Sequence, residues 1–204
     1  MRRVYLDHSA TTPVRPEVLS AMLPYFADHA GNASSLHMAG QRAKKALEEA
    51  RDAVARAHGA DPKEIYFTSG GTESDNQAII GVARAQSLRG RHLITSTIEH
   101  HAVLNTCHWL ESQGFQVSYV PVDQYGLLDV DALKDNIRED TVLISCMLAN
   151  NEVGTIEPLA EIARLAHARG LLVHTDAVQA VGKMPVRVDE LGVDLLSVTA
   201  HKFC

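Results

Sequence analysis

Polar residues suited to chemistry recur directly after short apolar runs in this chain. Thr68-Ser69-Gly70-Gly71-Thr72-Glu73-Ser74 follows the first run and Thr97-Ile98-Glu99-His100-His101 the second. Asn150-Asn151-Glu152-Val153-Gly154 follows the fourth, Asp176-Ala177-Val178-Gln179 the fifth, and Thr199-Ala200-His201-Lys202 the sixth. Ser69-Gly70-Gly71-Thr72 precedes a helical pattern, where glycines admit close backbone approach and free N–H groups favour a phosphate. Asp176 ends a very apolar run, Leu171 to Thr175. A carboxylate there is costly unless it meets a cation, such as a protonated ring nitrogen. Lys202, four residues past an apolar run and beside His201, is placed to attack an aldehyde. His100 is placed to stack on a flat ring or move a proton.

Each residue also has a plainer reading. Ser and Thr cap ordinary helices, Asp176 can cap the turn that follows it, and Asn151 suits a turn. Gln179, which can donate to a ring oxygen, is equally a surface residue. A single lysine is usually solvated and a single histidine usually structural. Together, however, the groups supply a phosphate site, a partner for a ring cation, a stacking imidazole and an aldehyde-binding lysine. That combination is the requirement of pyridoxal 5′-phosphate, whose protonated ring acts as an electron sink.

The elements that position these residues follow from the spacing of apolar side chains. Strands are expected at Glu64–Thr68, His92–Ser96, Gln116–Pro121, Val142–Leu148, Leu171–Thr175 and Asp194–Val198, all short and rich in branched or aromatic residues. Helices are expected at Ser35–His58, Thr72–Leu88, Ala102–Gln113, Val130–Arg138 and Pro158–Arg169, with Gly114 and Gly170 at the ends of two of them. Pro16 suits a helix start after a turn-rich lead-in. Alternation of this kind predicts an α/β fold, a mainly parallel sheet with helices on both faces. Right-handed crossovers then bring the C-terminal ends of the strands, and the polar groups after them, to one edge.

The bulk properties narrow the function classes. The 204 residues are 46% apolar and 22% charged, an ordinary globular composition. Nineteen basic and 25 acidic residues leave a formal charge of −6, which gives no electrostatic reason to bind nucleic acid or an anionic membrane. No apolar run reaches the ~20 residues of a membrane helix, and the start of the chain does not read as a signal peptide. Cys107, Cys146 and Cys204 are odd in number and far apart, so a reducing, cytoplasmic setting is the expectation. Eleven histidines raise the thought of a metal, but no pair stands at ligand spacing, so none is expected.

The chain also resembles the cysteine desulfurases, the NifS-type branch of the class-V aminotransferases and of fold-type I pyridoxal-phosphate enzymes. The resemblance rests on Tyr5-Leu6-Asp7-His8-Ser9-Ala10-Thr11-Thr12-Pro13, Gly31-Asn32-Ala33-Ser34-Ser35-Leu36-His37 and Phe67-Thr68-Ser69-Gly70-Gly71-Thr72-Glu73-Ser74-Asp75-Asn76. It continues through Glu99-His100-His101-Ala102-Val103, Ala149 to Gly154, His174 to Gln179 and Ala200 to Phe203. Thr199 stands where the family usually has Ser, and Ala33 where it often has Pro.

The resemblance implies that Lys202 holds the cofactor aldehyde and Asp176 the pyridine nitrogen, with His100 stacked on the ring. It implies that Asn151 and Gln179 lie around the ring oxygen and substrate, and that Gly71, Thr72, Thr199 and His201 face the phosphate. The implied reaction takes L-cysteine to L-alanine and passes sulfur to an enzyme cysteine as a persulfide, for an iron–sulfur scaffold or another acceptor. Residues 1–15 would belong to the family's small domain and 16–204 to its large domain, cut after the cofactor lysine. The family is a homodimer roughly twice this length per chain. Its sulfur-accepting cysteine lies beyond the matched half, and Cys107, Cys146 and Cys204 do not read as replacements. Other readings are selenocysteine lyase, sulfinate desulfinase, a small aminotransferase of the same fold, or a remnant without catalysis.

Overall fold

The computed structural model describes residues 4–203. Among them, five strands form one sheet: β1 (His92–Ser96), β2 (Gln116–Val120), β3 (Thr141–Ser145), β4 (Leu172–Asp176) and β5 (Leu195–Ser197). Their order is β2-β1-β3-β4-β5, and every pairing is parallel. The α/β expectation is therefore met.

Among the described residues, seven α-helices accompany the sheet: α1 (Pro16–Met22), α2 (Met38–His58), α3 (Gly71–Ala85), α4 (His101–Ser112), α5 (Val130–Asp135), α6 (Leu159–His167) and α7 (Val188–Leu191). Side chains along β1 and β3 alternate between two cores. Ile94 and Ile144 face one core with Leu159, Ile162 and Ala166 of α6. Leu93 and Leu143 face the other with Ile79 and Ala83 of α3 and Val103, Cys107 and Leu110 of α4. Burial on both faces explains why these strands read as continuous apolar runs rather than alternating ones.

Observed boundaries fall within a few residues of expectation. The expected helix over Ser35–His58 begins at Met38, where His37 caps it by accepting from the Gly40 N–H. Gly114 and Gly170 have φ of 83° and 67°, the left-handed conformation that ends a helix at little steric cost for glycine.

One expected strand does not form. Pro62–Glu64 makes a short 3-10 turn, closed by reciprocal bonds between Asp61 and Glu64. Tyr66 and Phe67 beyond it are 74% and 50% exposed, and no strand pairs with them among the described residues. Branched and aromatic residues favour a strand, but a strand needs a neighbour to bond to. Arg51 occupies part of the edge instead, donating from Nη1 to the Ile65 carbonyl.

Candidate active site

The C-terminal ends of β1, β3, β4 and β5 and the start of α3 surround a cavity of about 440 Å³. All nine residues singled out from the sequence line it: Gly71, Thr72, His100, Asn151, Asp176, Gln179, Thr199, His201 and Lys202. The segment before Gly71 is not a strand, yet it still delivers the α3 N-terminus to this edge.

Gly71 opens α3, a helix of 15 residues. A Cβ at Gly71 would lie 2.9 Å from Val178 Cγ2, so only glycine leaves this contact unstrained. Thr72 and the buried Thr199 add hydroxyl groups to the cavity wall. Free N–H groups at a helix start, with these hydroxyls, make a suitable cradle for a phosphate.

Asp176 closes β4 and is 5% exposed. Burial raises its pKa, while the Val178 N–H, bonded at 2.9 Å, and the charges of His100 and Lys202 pull it down. The carboxylate is thus costly to bury and open to a cationic partner from the cavity.

His100 caps α4, its Nδ1 accepting from the Ala102 N–H at 3.1 Å. The structural and chemical readings of this histidine therefore coexist. The cap occupies Nδ1, which leaves Nε2 as the ring nitrogen for chemistry.

Lys202 lies in a short 3-10 turn after β5, and its Nζ donates to the Ser9 carbonyl. Gln179 donates from Nε2 to that same carbonyl at 2.9 Å and accepts from Lys183 Nζ at 2.7 Å. His201 meets Thr11 Oγ1 through Nδ1 at 3.1 Å, and its carbonyl accepts from the Thr12 N–H at 2.9 Å. Residues 9–12 thus form a strap over the site. Asn151 sits in the turn after β3, while Asn150 is spent on structure: its Oδ1 accepts from the N–H groups of Glu152 and Val153.

Sequence reasoning missed several lining residues: Ser9, Ala10, Asp75, Met147, Ala149 and Val178. The strap had no local signal. Asp75 did have one, for it falls in helical phase with Ile79 and Val82, which face the core. A carboxyl in that stripe must be buried.

Two cysteines are excluded from surface chemistry. Cys107 and Cys146 are fully buried, and burial raises the Cys107 thiol to about 12 and that of Cys146 well above its ordinary value. Cys204 lies outside the described residues. Among the described residues there is no cluster of side chains able to hold a metal, and no helix is long and apolar enough to cross a membrane.

Fold and site together define a parallel α/β domain with a helix N-terminus, a buried carboxylate and a lysine around one cavity at a sheet edge. The chain belongs to the class-V aminotransferase family, whose model matches residues 4–204. Cysteine desulfurase IscS of Dictyoglomus turgidum is 57% identical over 202 residues, covering 99% of this chain and 51% of that protein. Cysteine desulfurase IscS of Methanosarcina thermophila is 56% identical over the same length, 50% of that protein being covered. Among solved structures, a NifS-like protein superposes with a TM-score of 0.96 at 45% identity, covering 99% of this chain and 56% of the other. A cysteine desulfurase of Thermococcus onnurineus superposes with a TM-score of 0.89 at 29% identity, half of its chain being covered. The chain spans about half the length of the curated relatives it matches.

Proposed function

We propose that this chain is the cofactor-binding half of a pyridoxal-phosphate-dependent cysteine desulfurase. The observation that carries this reading is the meeting of Lys202, Asp176 and the α3 N-terminus at one cavity. The residues fit the group: glycine at the tight approach, a desolvated carboxylate for a ring cation, and an amine for an aldehyde. The relatives named cysteine desulfurase supply the reaction class.

In this reading Gly71, Thr72, Thr199 and His201 bind the phosphate, and Asp176 holds the pyridine nitrogen in its protonated form. His100 would stack on the ring, and Asn151 and Gln179 would hold the ring oxygen and the substrate. When bound, the cofactor supplies an electron sink for the negative charge left at the substrate Cα. Lys202 would anchor the cofactor aldehyde and would be the base placed to move the Cα proton. L-cysteine leaves as L-alanine and its sulfur passes to a protein thiolate as a persulfide. That thiolate is neither Cys107 nor Cys146, since both are buried and hard to ionise.

The same reading assigns residues 1–15 to a small domain and 16–204 to the large cofactor domain. It makes the working enzyme a cytoplasmic homodimer that hands sulfur to an iron–sulfur scaffold or a similar acceptor. The test is cofactor binding by equilibrium dialysis. One pyridoxal phosphate per chain, with at least tenfold weaker binding in Asp176→Asn, is expected; equal binding by both proteins contradicts the assignment.

A further inference from the structure

Asp75 is the buried ionisable group of the site that the proposed chemistry leaves without a task. It lines the cavity beside Asp176, is 1% exposed, and its Oδ1 makes no hydrogen bond. The side chain facing it from β4 is His174, whose Nε2 lies 3.6 Å from Oδ1, beyond hydrogen-bond reach. His174 is a poor counter-ion, because burial disfavours its charged form. Both its nitrogens are taken by serine hydroxyls, Nδ1 by Ser145 at 2.9 Å and Nε2 by Ser197 at 3.0 Å. Complete burial drops its pKa to about 3, so the ring is neutral. Ser197, from β5, is held in turn by Ser74 at 2.9 Å.

The other charged groups around Asp75 decide where a proton must sit. Glu99, after β1, is itself buried and raised toward its neutral form, and Lys202 and His100 act on Asp176. Asp176 also accepts from the Val178 N–H at 2.9 Å. Of the two carboxyls, Asp176 therefore has the better support for a charge. Two carboxylates that line one desolvated cavity and act on each other do not both ionise.

We propose that Asp75 is the proton-holding member of a carboxyl pair with Asp176, so that the pair presents a single negative charge, on Asp176, to the cavity. Asp75 is then a positioning residue: it keeps the site matched to a ligand bearing one cationic ring nitrogen. Burial first, and the Asp176 charge second, raise Asp75 to about 8, with the Ser197 hydroxyl acting the other way. The ligand's identity rests on the cofactor reading above; the location of the proton does not.

The test is infrared spectroscopy of the ligand-free protein in heavy water, with aspartate carboxyls carrying carbon-13 to separate them from Glu99. At pH 6.5 the labelled parent should show a protonated aspartate carbonyl band. Asp75→Asn should lose that band and Asp176→Asn should keep it, because burial alone still favours the neutral form of Asp75. In the parent the band should disappear as pH rises through about 8. Absence of the band in the parent, or its loss in Asp176→Asn with retention in Asp75→Asn, overturns the proposal. If Asp75→Asn does not fold, the parent and Asp176→Asn spectra still decide between the two outcomes. Because no cofactor is present, a failure to bind pyridoxal phosphate sinks the functional proposal and leaves this one to its own result.

Discussion

Glu99 offers the most quantitative test of how this site is built. It follows β1 and is 5% exposed. Its Oε1 accepts from Ser96 Oγ at 2.6 Å and from the Met147 N–H at 3.0 Å, while Oε2 has no partner. Burial raises its pKa from 4.5 to about 8, against the two hydrogen bonds and with further help from Asp176 and Asp75. The folded protein therefore holds a proton here that the unfolded chain releases above its own pKa. Stability falls as pH rises through the window between 4.5 and about 8. Below that window the group costs nothing by this route, and above it the penalty is complete. At 1.36 kcal/mol per pKa unit the penalty is on the order of 1 kcal/mol at pH 5 and 3 kcal/mol at pH 7.

Glu99→Gln removes the titration and keeps an oxygen for Ser96 and Met147. Urea unfolding of the two proteins between pH 5 and 8 reads the difference. The variant should gain roughly 2 to 3 kcal/mol on the parent between pH 5 and 7, read as a rising gap between midpoints. Stabilities that run parallel across that range would refute the claim that Glu99 is buried as a neutral acid.

Other outcomes follow from the same geometry. Gly71→Ala should weaken binding of pyridoxal phosphate several-fold in the dialysis assay, because the new methyl meets Val178 Cγ2 at 2.9 Å. Cys107 and Cys146 should be inert to a thiol reagent at pH 8 in the native protein and react once urea unfolds it. Leu110→Ala should lower stability by about 2 to 5 kcal/mol in urea titrations, since Leu110 is fully buried between α3, α4 and the sheet.

The parallel strands were legible because burial on both faces leaves an unbroken apolar run, as in Leu171 to Val173 and Val142 to Ile144. Asp176 and Lys202 stood out for the same reason: a charged residue after such a run has to be explained by something other than solvent. The segment from Ile65 to Thr68 misled because residue type reports fitness for a strand and says nothing of a neighbour. The strap was beyond local reading. Ser9 reaches Gln179 across 170 positions, and no periodicity encodes that closure. Asp75 was hidden for a subtler reason, as it sits inside Thr72-Glu73-Ser74-Asp75-Asn76, where polarity looks like ordinary helix surface. The phase it shares with Ile79 and Val82 was the available clue.

The central claim, that Lys202 is the residue that takes the cofactor aldehyde, is open to one direct measurement. The protein is mixed with pyridoxal phosphate, reduced with borohydride and digested, and the modified peptide is located by mass spectrometry. Lys183 is an internal competitor, since it bonds Gln179, whose side chain shares the Ser9 carbonyl with Lys202. The account predicts the reduced cofactor on Lys202, and no such adduct in Lys202→Ala. An adduct on Lys183, or no adduct on any lysine of the parent, would contradict it.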